Sequence, residues 1–135
     1  MTNHERADRL LSDARDIAAE MHRALDRTAW NLAVRRAQEV VELVGKALLS
    51  EMGVDTPKTH DPGRMLAEVL RERGLVTDET RLAWLTALSA HLSALRGPAF
   101  YQGIIVNEAD ARAAVEGADR VLAFGEDLAV RLRSR

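Results

Sequence analysis

The chain has no cysteine, only three prolines and few aromatic residues. Without cysteine it has neither a disulfide framework nor a thiolate nucleophile, so packing must stabilise the fold, and a reducing compartment suits it. No segment approaches the roughly 18 uninterrupted apolar residues of a membrane span, and the first residues lack the apolar stretch of a signal peptide. We therefore expect a cytoplasmic protein that neither is exported nor enters a membrane.

The length of 135 residues is that of a single domain, and we expect one domain spanning residues 1–135. Hydrophobic residues make up 47% of the chain and charged residues 30%, a mixture that suits a packed core and not a disordered chain. The net charge of −2 argues against a protein that coats nucleic acid non-specifically, because such binding depends on many phosphate contacts.

Apolar residues recur at spacings of three and four along five segments, the pattern of amphipathic helices. The predicted helices cover about 3–26, 28–52, 61–74, 77–97 and 107–132. Long helices joined by short connections indicate an all-α fold, an antiparallel four- to five-helix up-and-down bundle. Gly117 and Gly125 inside the last helix indicate close helix contacts, within the chain or across a dimer.

Capping residues predict where these helices begin. Thr2 with Glu5 forms a capping-box pattern before the first helix, and Asn107 with Asp110 repeats the spacing before the last. Asp61-Pro62 predicts the start of the third helix, with Asp61 as cap.

Gly97-Pro98 predicts the end of the fourth helix. The stretch 99–106 is then interpreted as an ordered loop, since it is too isolated to build a sheet.

The sequence contains no metal or nucleotide-binding fingerprint. Neither the glycine-rich phosphate loops nor the His-Glu-x-x-His and Glu-x-x-His metal motifs occur. We expect no metal and no cofactor, and a solvated or core-edge role for each of the four histidines, His4, His22, His60 and His91. The densest basic stretch, around Arg35-Arg36, is interpreted as a solvated helix face paired with Glu39 and Glu42.

The polar residues His91, Arg96 and Tyr101 cluster around the end of the fourth helix. They are candidates for binding a phosphate or a nucleotide, because arginine forms bidentate contacts with phosphate. Two structural roles compete with this hypothesis. The helix dipole favours an arginine at a helix C-terminus, and Tyr101 can serve as a packed loop anchor.

The succession of several motifs resembles the HEPN domain family over about residues 10–124. These motifs are Arg36-Ala37-Gln38-Glu39, Lys46-Ala47-Leu48-Leu49, His60 before a short helix, Arg96 ending a long helix, Tyr101, Asn107-Glu108-Ala109-Asp110-Ala111 and Val121-Leu122-Ala123-Phe124. The resemblance implies a bundle that often dimerises, is frequently encoded beside a small nucleotidyltransferase and in many members cleaves RNA as a toxin.

The RNA-cleaving members carry an arginine followed four to six residues later by histidine. Arg96 matches the arginine, but Tyr101, Gln102 and Gly103 stand where the histidine belongs. Metal-free RNA cleavage needs a group to take the proton of the 2′-hydroxyl, and tyrosine is a poor base at neutral pH. The sequence therefore assigns no catalytic residue.

We expect a noncatalytic homodimer that binds a nucleotidyltransferase partner or a nucleotide, in a toxin–antitoxin-like setting. The alternative is a divergent ribonuclease toxin that combines Arg96 with a histidine from elsewhere, for which His91 of a second subunit is the candidate. In some partnered family members the nucleotidyltransferase attaches AMP to a tyrosine near the motif, so the resemblance makes Tyr101 a candidate modification acceptor.

Overall fold

A computed structural model describes residues 1–56, 58–101 and 105–134, and for 97–101 it describes the backbone alone. Within these ranges the chain forms five α-helices and no strand. They are α1 (Asn3–Asp26), α2 (Trp30–Glu51), α3 (Gly63–Glu72), α4 (Glu79–Tyr101) and α5 (Glu108–Arg133). The predicted all-α bundle is confirmed. Among the described helices, none is long and apolar enough to cross a membrane.

The starts of α1 and α5 follow the predicted capping chemistry. The Thr2 hydroxyl accepts the Glu5 backbone N–H at 3.0 Å, and the Glu5 carboxylate accepts the Thr2 N–H at 3.2 Å. The Asn107 side chain accepts the Asp110 N–H at 2.8 Å. Both caps satisfy backbone donors that have no partner inside the helix.

Helix α2 is the centre of the bundle and packs against each of the other four helices. A short turn at Thr28, which adopts a left-handed φ of 61°, reverses the chain between α1 and α2. The last turn of α5 contacts both the end of α2 and the start of α1, because the Arg133 guanidinium donates to Glu51 at 2.6 Å and pairs with Asp8 at 2.5 Å. Helix α5 therefore runs parallel to α2 and antiparallel to α1.

The predicted cap of α3 is wrong. Its first helical residue is Gly63, and the Asp61 side chain makes no capping bond. Buried Ser89 of α4 takes over this function, since its hydroxyl accepts the Gly63 N–H at 3.1 Å and donates to Asp61 at 2.5 Å. A contact between distant segments therefore replaces the local cap.

The predicted end of α4 is also wrong, because the helix continues past Gly97-Pro98 to Tyr101. A proline inside a helix deprives the carbonyl four residues earlier of its N–H partner. Here that carbonyl belongs to Ala94, which is exposed, so water can replace the missing donor. Within the predicted loop 99–106, residues 99–101 are therefore helical and 105–106 are not, and 102–104 lie outside the described residues.

Gly117 and Gly125 are points of close helix contact within the chain. A Cβ atom at Gly125 would lie 2.4 Å from Val44 Cγ1 of α2, and one at Gly117 would lie 3.0 Å from the Leu88 side chain of α4. The prediction of close contacts is confirmed inside the bundle.

Candidate functional site

The side-chain amide of Gln38 is buried where α2, α4 and the loop before α3 meet. Only 2% of Gln38 is exposed. Its Nε2 donates to Glu42 Oε1 at 2.9 Å and to the His60 carbonyl at 3.1 Å, and its Oε1 accepts from Arg96 at 2.9 Å. Three partners therefore fix the orientation of the amide and hold Arg96 against α2.

The Glu42 carboxylate is the centre of charge in this cluster. Besides the Gln38 amide, Oε1 faces His60 Nδ1 at 3.0 Å and Arg96 Nη1 at 3.6 Å, and Oε2 accepts from Lys46 at 3.0 Å. Burial acts to raise the pKa of Glu42, but the hydrogen bonds from Gln38, Lys46 and His60 together outweigh it, so the net pKa is lowered. Glu42 therefore remains ionised at neutral pH.

Three different segments of the chain supply these residues. Gln38, Glu42 and Lys46 follow one another at intervals of four on α2, which places them on one face of the helix. His60 comes from the loop between α2 and α3, and Arg96 from α4. We call these five residues the Glu42 cluster.

A groove of about 310 Å³ opens beside the Glu42 cluster, lined by Ile17, Glu39, Glu42, Leu43 and Arg96. The Arg96 side chain is 37% exposed, whereas Glu42 is 13% exposed. The guanidinium therefore stands at the rim with one nitrogen bonded to Gln38, and its other N–H donors form no hydrogen bond with any residue that the structure describes. The groove combines this cation with two carboxylates and two apolar side chains.

His91 is not part of this arrangement. It lies five residues before Arg96 on α4, so the two side chains leave the helix in directions about 140° apart. His91 is exposed and forms no hydrogen bond or ion pair with any described residue. The predicted grouping of His91 with Arg96 remains a hypothesis that requires a second subunit.

The Tyr101 side chain lies outside the described residues, and its backbone ends α4. Gln102 and Gly103, which stand with it in place of the family's histidine, also lie outside them.

The arginine pair at the start of α2 forms the helix face expected for it, with one correction. Arg36 pairs with Glu39 at 2.5 Å and Arg35 lies 3.9 Å from the same carboxylate. The predicted pairing with Glu42 is wrong, because the Glu42 carboxylate is instead bound by Gln38, Lys46 and His60 and approached by Arg96. Arg36 also lies 3.6 Å from Glu20 of α1, so this arginine is paired with carboxylates of both α1 and α2.

Sequence reasoning named Arg96, and it named Gln38, Lys46 and His60 within the family motifs, but it did not predict that they meet around Glu42. The usable signal was the polar series Gln38, Glu42 and Lys46 at intervals of four in a helix that is otherwise largely apolar. Buried polar side chains are stable only with hydrogen-bond partners, so this series predicts polar residues from elsewhere. It does not say that those are His60 and Arg96.

The chain matches a known family model. The family model described as HEPN domain matches residues 7–128, a range that contains all of the Glu42 cluster. No curated protein matches the chain.

Proposed function

The chain belongs to the HEPN domain family, and on that premise we propose that it is a noncatalytic homodimeric module that binds a nucleotidyltransferase partner or a nucleotide. The setting we propose is that of a toxin–antitoxin pair. The observation that carries the proposal is the hydrogen bond of 2.9 Å from Arg96 to buried Gln38 at the edge of a groove.

A guanidinium held in this way suits binding. Gln38 fixes the arginine before a ligand arrives, so little side-chain freedom is lost when the ligand binds. The remaining N–H donors form a planar fork that fits a phosphate or a carboxylate. Ile17 and Leu43 add apolar surface to the same groove.

The absence of a histidine at the family's motif positions supports a noncatalytic role. A ribonuclease needs a proton acceptor near the phosphate-binding arginine. His91 leaves α4 in another direction from Arg96, and Glu42, at 3.6 Å, partly neutralises the arginine. Tyr101 is proposed as a modification acceptor on the family resemblance alone, and detection of AMP on this residue by mass spectrometry tests that assignment.

Isothermal titration calorimetry with ATP, GTP and AMP tests whether the chain binds a nucleotide. We expect Arg96→Gln to weaken binding about tenfold, the loss of roughly 1.4 kcal/mol of charge-assisted hydrogen bonding. Arg64→Gln is the matched control, because Arg64 is 83% exposed on α3 and is not part of the groove. Equal weakening by both substitutions would contradict binding at the Arg96 groove.

Binding of a nucleotidyltransferase partner is tested with the product of the gene beside that of this chain. If it encodes a minimal nucleotidyltransferase, co-expression should yield a complex that Arg96→Gln weakens and Arg64→Gln preserves. Light scattering of the free chain should give the mass of a dimer. A monomer at all concentrations, with neither nucleotide nor partner bound, contradicts the proposal.

A second candidate function, RNA cleavage, is favoured by one contact. His60 Nδ1 lies 3.0 Å from Glu42 Oε1, the same oxygen that Arg96 approaches, and the His60 side chain is 57% exposed. A carboxylate that orients an imidazole leaves the other ring nitrogen free to take the proton of a 2′-hydroxyl. His60, rather than His91, is then the histidine that works with Arg96, and His60→Ala should abolish any cleavage.

A further inference from the structure

A second polar surface lies between α4 and α5, away from the Glu42 cluster. The Arg81 guanidinium of α4 stacks over the Phe124 ring of α5 at 4.7 Å, and the Arg120 guanidinium of α5 stacks over Trp84 of α4 at 4.4 Å. Each helix thus supplies one arginine and one aromatic ring. In one pair the arginine comes from α4 and the ring from α5, and in the other pair the reverse holds. We call these four residues the stacked arginine face.

Helical spacing makes this surface continuous. On α5, Arg120, Phe124, Asp127 and Arg131 follow at intervals of three and four, so they share one side of the helix. Two clefts, of about 460 Å³ and about 450 Å³, open along it. Arg81 lines both clefts and therefore lies at the centre of the surface.

The arginines of this face, Arg81 and Arg120, and Arg131 beside it form no ion pair with any residue in the described part of the chain. Stacking on a ring holds a guanidinium flat, and its N–H edge remains free to bind an oxyanion. Arg81 and Arg120 therefore present oriented donors that no carboxylate pairs with in the part of the chain that the structure describes.

Two carboxylates lie on the same surface. Asp78 already accepts the backbone N–H groups of Thr80 and Arg81, at 3.0 Å and 3.3 Å, as the cap of α4. Asp127 lies beside the second cleft. Among the residues that line the two clefts, three arginines stand beside these two acids, on a protein whose net charge is −2.

The composition of the face is that of a protein-binding surface. Arginine, tryptophan and phenylalanine are enriched at the energetic centres of such interfaces. Val130, 63% exposed, adds apolar area next to the second cleft. Nucleic acid fits less well, because its affinity requires many phosphate contacts, whereas this face offers three arginines beside two carboxylates.

We propose that the stacked arginine face binds an acidic segment of a protein partner, with glutamate or aspartate carboxylates on Arg81 and Arg120 and an apolar side chain near Val130. The inference is independent of the function proposed for Arg96. An acidic segment is distinguished from other occupants of this face by its charge, because replacing its carboxylates with amides should remove binding.

Fluorescence anisotropy with short labelled peptides tests the proposal. The probes carry several glutamates at different spacings around one leucine, and a matched set carries glutamine instead. We expect the glutamate peptides to bind the full chain and the glutamine peptides not to bind. Arg81→Gln and Arg120→Gln should each weaken binding about tenfold, and added salt should weaken it as well.

Arg112→Gln is the matched control. Arg112 also stacks on a tryptophan, Trp30, at 5.8 Å, but it is paired with Glu108 and does not line either cleft. This substitution should leave peptide binding unchanged. Arg81→Lys, which keeps the charge but not the planar fork, should lie between the wild type and Arg81→Gln, and circular dichroism checks that every variant is folded.

Four results overturn the proposal. The first is that no glutamate peptide binds at about 1 mM, the weakest affinity of interest, and the second is that Arg112→Gln weakens peptide binding as much as Arg81→Gln does. The third is that a single-stranded RNA binds this face in place of the peptides. The fourth is that Arg81→Gln loses the mass of a dimer, which would make a second copy of the chain the occupant. Because Arg96 is untouched in these variants, failure here does not affect the nucleotide and partner tests at the groove.

Discussion

Arg96 of α4 and Gln38 of α2 stand 58 positions apart in the chain and are joined by a hydrogen bond of 2.9 Å. The bond connects the exposed rim of the groove to the interior of the bundle, since Gln38 is 2% exposed. It also aligns the Gln38 amide so that its nitrogen faces Glu42 and the His60 carbonyl. One buried side chain therefore organises most of the Glu42 cluster.

Replacing Gln38 by leucine should lower the free energy of unfolding by about 1–3 kcal/mol, because three polar partners lose a buried hydrogen bond. Urea unfolding measures the change. Arg96→Met and the double variant complete a cycle, in which we expect a coupling energy of about 1 kcal/mol between the two positions. Strict additivity would show that the bond does not contribute to stability.

Glu42→Gln should reduce stability mainly above pH 4. The folded-state pKa of Glu42 is lowered, so its ionised form stabilises the fold above the unfolded-state pKa, about 4.3, and this contribution is lost as pH falls through the lower folded-state value. The difference between wild type and Glu42→Gln should therefore be largest near neutral pH and shrink on acidification. Urea unfolding across the acid range measures it.

The control for this pH dependence is Glu116→Gln on α5. Glu116 is exposed and has no ion pair within the described ranges. Its substitution should change stability little at any pH. A stability difference between wild type and Glu42→Gln that does not depend on pH would contradict the stabilising role of the ionised Glu42 carboxylate.

Gly125→Ala should destabilise the bundle by about 1–3 kcal/mol, the usual cost of overpacking. The added methyl would lie 2.4 Å from Val44 Cγ1, and the backbone of α5 would have to move away from α2. Val44→Ala removes that clash, so the double variant should be less destabilised than the sum of the two single variants. Thermal unfolding followed by circular dichroism measures all three, and additive losses would contradict the close contact.

Thr28→Gly should stabilise the protein by up to about 1 kcal/mol. Thr28 has a φ of 61°, a left-handed conformation that costs a β-branched residue more than glycine. Thr77→Gly is the control, since Thr77 is also an exposed loop threonine but is not in that region. For Thr77→Gly we expect a small loss of stability, because glycine gives the unfolded chain more freedom. A change in stability of the same sign for both substitutions would count against strain at Thr28.

Local chemistry made the helices predictable, and long-range contacts made some boundaries and the site unpredictable. The starts of α1 and α5 depend on residues three positions apart, so the sequence shows them directly. Asp61 was assigned as a cap because it precedes Pro62, but its actual partner, Ser89, is 28 positions away, where the local pattern gives no sign of it. The continuation of α4 past Pro98 likewise depends on the exposure of Ala94, which only the fold determines.

The same limit applies to the Glu42 cluster. Arg96 was identified by its place at the end of α4 and then by the family resemblance, and His91 was grouped with it because the two are close in sequence. Their directions on α4 differ by about 140°, whereas His60, 18 positions from Glu42, contacts the cluster. Sequence proximity was therefore a poor guide to which histidine lies near the arginine.

The central claim is that Arg96 binds and does not catalyse, and the most direct test is incubation of purified protein with a panel of structured and single-stranded RNAs. Arg96→Ala, His60→Ala and His91→Ala are prepared in parallel. We expect the wild-type protein to cleave no more RNA than the three variants do. Cleavage by the wild type that disappears in Arg96→Ala and His60→Ala would contradict the claim and establish a ribonuclease built on the Glu42 cluster.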